Sequence, residues 1–130
     1  MIQTTFDPET KIISTNYIGK IDASEIIDYI AKLSITDESY HDLLYLEDQT
    51  EAEFVFKASE IKKIVHALYA KIKNIPSIRV AVLNTNPKET AFSLIAIRLL
   101  IANNIHARVF CTKAAALDWL MLKSSVEIEK

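Results

Sequence analysis

Between one helical stripe that a proline ends and another that a proline begins lies 78-IRVAVL-83, an apolar run rich in β-branched residues. A strand with one face in water alternates polar and apolar positions, whereas a run like this one needs cover on both faces, as in a parallel sheet wrapped by helices. The flanks agree with that reading. Upstream, Ser59 precedes Ile61, Ile64, Val65, Leu68 and Ile72 at helical spacing, and Asn74 and Pro76 stop the pattern. Downstream, Asn86 stands as N-cap with Pro87 at the first helical position and Glu89 near the positive helix end.

The remaining segments extend the alternation in both directions. Ile2 to Phe6 and Lys11 to Ile18 form a hairpin around the turn chemistry of Asp7-Pro8-Glu9-Thr10, and Gly19, the one glycine, punctuates. Asp22 and Glu25 make a capping-box pattern for a first helix over about 23 to 34. Asp42 to Glu47 reads as a short strand followed by an acidic loop; Ile105 to Cys111 is the last strand, and Thr112 caps a final helix through Trp119 and Leu120. The order β-β-α-β-α-β-α-β-α predicts an α/β fold with a single, mostly parallel sheet, right-handed crossovers and an antiparallel N-terminal edge strand.

Size and composition fit this architecture in one domain, 1–130, since 130 residues at 50% hydrophobic bury a core without disulfide or metal support. A net charge of -2, from 15 basic and 17 acidic residues, supplies no field that would draw nucleic acid or an anionic membrane. Cys111 has no partner for an internal disulfide and reads as a strand-interior thiol, which points to a reducing cytoplasm. MIQTTFDPET does not read as a signal peptide, and 91-AFSLIAIRLLIA-102, interrupted by Arg98, falls short of the roughly 20 residues of a transmembrane span.

Three stretches carry a family resemblance: 18-IGKIDASEIIDYI-30, 43-LLYLEDQ-49 and 108-RVFCTKAAALDWL-120. With the element order, they resemble the STAS-like family, that is, the anti-sigma-factor antagonist domains and related bacterial STAS/SEC14-like proteins. The resemblance implies a sheet in sequential strand order and a role in binding rather than chemistry. It also implies a phosphorylatable serine in an Asp-Ser-Ser/Thr-Gly sequence at a helix start. In 54-FVFKASEI-61 only Ser59 stands near that place, Lys57 occupies an acidic position and the glycine is absent. Ser59 is therefore read first as a helix cap and second as a phospho-site.

Four carboxylates, Glu47, Asp48, Glu51 and Glu53, lie at and beyond the end of the strand read from Asp42 to Glu47. Clustered oxygens suit a hard cation, but the spacing matches no EF-hand loop, so a solvated acidic segment is expected, with no metal or other cofactor. If the resemblance holds, Asp48, Glu51 and Glu53 form a recognition edge. Asp48, Thr85 and Lys113 evoke a phospho-receiver site, yet Gly19-Lys20 stands where its acidic pair belongs. His41, His66 and His106 are scattered without a nucleophile signature, so no catalytic residues are assigned. Lys62, His66 and Lys73 share one side of the second helix as an ordinary solvated face.

The third helix is apolar on two sides. Ala91, Phe92, Ile95, Leu99 and Ala102 are assigned to the core, leaving Leu94, Ile97 and Ile101 as an outward seam. The leading reading of that seam is a homodimer or regulatory-partner face; cover by the tail or the first helix, and contact with an apolar ligand or membrane surface, are the alternatives. The expected function is thus a non-catalytic interaction module, with a lipid or apolar-ligand carrier as the alternative from another class.

Overall fold

The structure is a computed structural model that describes residues 1–33, 43–100 and 102–122. One five-stranded sheet runs β1 (Ile2–Phe6), β2 (Ile12–Ile21), β3 (Leu43–Phe54), β4 (Ile78–Leu83) and β5 (Ile105–Phe110), in that spatial order. β1 is antiparallel to β2 and every other pair is parallel, as the element order predicts. Helices α1 (Ala23–Lys32), α2 (Ile61–Ile72) and α3 (Pro87–Leu99) cover one face, and α4 (Lys113–Leu120) covers the other.

Local chemistry explains most of the boundaries. The Asp7 carboxylate accepts the Glu9 N–H in the hairpin turn, and Lys11 adopts a left-handed φ of 64° to bring the chain back. Asp22 Oδ1 accepts the Glu25 N–H at 2.8 Å and starts α1; Thr112 Oγ1 does the same for Ala115 at 3.2 Å and starts α4. Asn104 closes α2 from a distance, its Nδ2 donating to the carbonyls of Ile72 and Ile75. Arg79 is 1% exposed, and its Nη1 donates to the carbonyls of Leu120 and Leu122, tying β4 to the end of α4.

Four local expectations are corrected. Gly19 does not end the strand: it lies inside β2 at φ +80°, two residues past the shift of register between Asn16 and Ile18. Ser59 is not the cap of α2, which is preceded by a 3-10 turn over Ala58–Glu60; the Glu60 carboxylate accepts the Lys57 N–H, and Ser59 is left exposed. Cys111 is exposed, because β5 ends at Phe110 and the chain turns there toward Thr112. The acidic segment is not a loop, because pairing with β2 extends β3 through Phe54.

Candidate functional site

Extending β3 separates the four carboxylates. Side chains alternate along a strand, so Glu47 follows Leu43 and Tyr45 onto the face under α1, α2 and α3, while Asp48 points the other way. A β-bulge at Gln49–Glu51, where three steps along β3 match two along β2, then changes the phase. After it, Ala52 and Phe54 point inward and Glu51 and Glu53 are exposed. Asp48 holds the bulge, its Oδ1 accepting from the Thr50 N–H at 3.0 Å and from the Thr50 hydroxyl at 2.6 Å.

Glu47 faces a cavity of about 150 Å³ between the sheet and the three helices. Its walls are overwhelmingly apolar: Ile26 and Ile30 of α1, Val65 and Leu68 of α2, Val80 and Val82 of β4, and Phe92 and Ala96 of α3. Aromatic rings are concentrated there, with Tyr17 edge-on to Phe54 at 6.4 Å and Phe56 stacked on Phe92 at 5.5 Å. The few polar groups are mostly matched to each other. Tyr29 Oη lies 2.8 Å from the hydroxyls of both Thr4 and Thr15, and Gln49 Oε1 accepts from Asn84 Nδ2 and Ser93 Oγ at 2.9 Å each.

Glu47 differs from these groups. The residue as a whole is half-buried, but its Oε2 is sealed from solvent and has no hydrogen-bond partner among the described residues. Burial pushes the carboxyl up from 4.5 to about 7, although hydrogen bonding from the Tyr17 and Thr15 hydroxyls opposes the shift. Burial, together with the nearby Glu47 charge, likewise raises Tyr17 well above the usual phenol range. Chemically the site offers a desolvated acid poised near neutrality among apolar walls. The described residues around it hold neither a nucleophile with an activating base nor a group of metal ligands.

The other predicted positions lie elsewhere. On α3 the inward residues are Glu89, Phe92, Ser93, Ala96 and Ile97, so the expected core positions Ala91, Ile95 and Leu99 are corrected to the exposed side. The reason is polar: Glu89 Oε2 accepts the Phe54 N–H at 3.1 Å and Ser93 bonds to Gln49, which fixes the rotation of a helix whose apolar residues surround it. Leu94, Ile95 and Leu99 are 53%, 38% and 41% exposed, whereas Ile97 lines the cavity, so Leu94 and Ile97 do not share one outward seam. Ile101, His41 and Asp42 lie outside the described residues. Asp48, Glu51 and Glu53 lie across the sheet from the cavity, and Lys62, His66, Lys73, Thr85 and Lys113 are exposed. Glu47 was legible as part of an acidic cluster; the signal that sets it apart is its shared parity with Leu43 and Tyr45.

This architecture is STAS-like, the fold of SpoIIAA. The chain is similar to an uncharacterized protein of the DUF3478 family with a SpoIIAA-like fold from Shewanella loihica PV-4, at 17% identity and a TM-score of 0.55 over 92% of each chain. It is similar also to the anti-sigma factor antagonist SpoIIAA in its unphosphorylated form, at 13% identity and a TM-score of 0.55 over 91% of this chain and 96% of that one. No family model and no curated protein matches the sequence. Among the described residues no helix is long and apolar enough to cross a membrane.

Proposed function

We propose that this protein is a non-catalytic binding module that holds a small, largely apolar ligand between its sheet and its three-helix layer. The observation that carries the reading is the cavity of about 150 Å³, walled by aliphatic and aromatic side chains. An apolar hollow of that size takes a benzene-sized guest. That volume suits a compact ligand better than a whole acyl chain, which narrows the lipid-carrier expectation. Catalysis is the weaker reading, because Tyr29 and Gln49 are engaged within the fold, and the described groups beside Glu47 are phenols and a threonine hydroxyl rather than a nucleophile with an activating base.

Toluene tests the cavity. A saturating concentration raises the melting temperature of the native chain by mass action, and Ala96→Phe, which fills the space from α3, abolishes that rise. A melting temperature indifferent to toluene overturns the reading.

A second reading, as a protein-interaction module that pairs with itself, is favoured by the exposed Leu94, Ile95 and Leu99 on α3. Leu94→Glu with Leu99→Glu, both already exposed, then converts a dimer into a folded monomer. A solution mass that is the same for both proteins counts against it.

A further inference from the structure

A buried acceptor without a donor costs stability of order 1–3 kcal/mol, and a charged one costs more. Beside the cavity that debt rests on Glu47 Oε2, which meets a guest once the carboxyl turns toward the hollow its side chain lines, since the Tyr29 hydroxyl and Gln49 Oε1 are already matched. Among the described residues the titratable groups facing Glu47 are Tyr17 on β2, Tyr29 on α1 and Tyr45 on β3. α2, α3, β4 and β5 present only aliphatic residues, aromatic residues and Ser93. No described basic residue lines the cavity, so the described residues supply the carboxylate with no counter-charge.

We propose that the ligand is a small monocationic amine whose apolar body is about the size of a benzene ring, its ammonium paired with the Glu47 carboxylate; this rests on reading the cavity as a binding site. Each alternative leaves part of the mismatch in place. A neutral hydroxyl donates a hydrogen bond but leaves the desolvated charge unbalanced, and an apolar guest does neither. A carboxylic acid sets a second acid beside the first and binds only with a shared proton. An ammonium satisfies both the acceptor and the charge, and the aromatic rings of Tyr17, Tyr29 and Tyr45 line the same cavity.

Protonation of Glu47 opposes such a ligand. Its carboxyl titrates at about 7 in the empty site, so ammonium binding releases a proton below that pH and becomes independent of pH above it.

The test is calorimetric titration of the native chain with toluene, benzyl alcohol, benzylamine and benzoate, four probes of similar size. At pH 7.5 benzylamine binds at least about tenfold more tightly than benzyl alcohol, and its affinity falls by about tenfold per pH unit well below 7. Glu47→Gln reduces benzylamine to the level of benzyl alcohol without loss of benzyl alcohol binding. Benzyl alcohol or benzoate binding as tightly as benzylamine, or benzylamine affinity that ignores pH, overturns the proposal on the unsubstituted protein alone, whether or not the variant folds. Binding of toluene without any preference for the amine removes this inference and leaves the cavity reading intact. Failure of all four probes removes both.

Discussion

At the scale of a residue, Glu47 links the fold to pH. Its folded pKa of about 7 lies above the ordinary 4.5, so between those values the folded state binds more protons than the unfolded chain. Stability is therefore greatest below about pH 4.5, as far as this group is concerned, and is lost as pH rises to 7, by at most about 3 kcal/mol. Glu47→Gln keeps the shape and removes the charge. Its denaturation midpoint should exceed that of the unsubstituted protein above pH 7 and change less between pH 5 and 7; equal slopes for the two proteins would sink the assignment. The sequence displays this residue in an acidic cluster of four, and only the parity of a strand longer than its apolar core distinguishes it from Asp48.

At the scale of an element, the helices show which signals sequence carries well. Asp22 and Thr112 cap α1 and α4 as their spacing predicts, because a cap is a contact within one turn. The end of α2 is different. Asn74 and Pro76 mark where it stops, but the carbonyls of Ile72 and Ile75 are satisfied by Asn104, about thirty residues away, a link no local pattern contains. Asn104→Ala removes both hydrogen bonds and should cost about 1–3 kcal/mol in chemical denaturation with an unchanged m-value. The rotation of α3 was illegible for a related reason: with apolar residues on all sides, the choice of inner face falls to Glu89 and Ser93, which reach polar atoms of β3. Apolar periodicity cannot register a face selected by hydrogen bonds.

For the whole molecule, the succession of strands and helices and the antiparallel N-terminal strand were legible from the alternation of patterns, whereas the sequential order of the five strands came only with the STAS-like resemblance, because right-handed crossovers permit more than one order. A hollow between layers was not, because it measures the space that side chains from several elements fail to fill. The bulge in β3 joins these two levels. A plain strand would carry Glu51 and Glu53 inward after Glu47 and turn Ala52 and Phe54 outward; the extra residue resets the phase, so an acid and a phenylalanine of opposite parity face the same cavity. A change in chain length consequently means something different here than elsewhere in the strand. Deleting Thr50 would restore plain alternation with Glu47, Gln49, Ala52 and Phe54 still inward, whereas deleting a residue from the Leu43–Leu46 segment would exchange the faces of everything on one side of the gap. The bulge is thus the one place where β3 can lose a residue and keep its inside in.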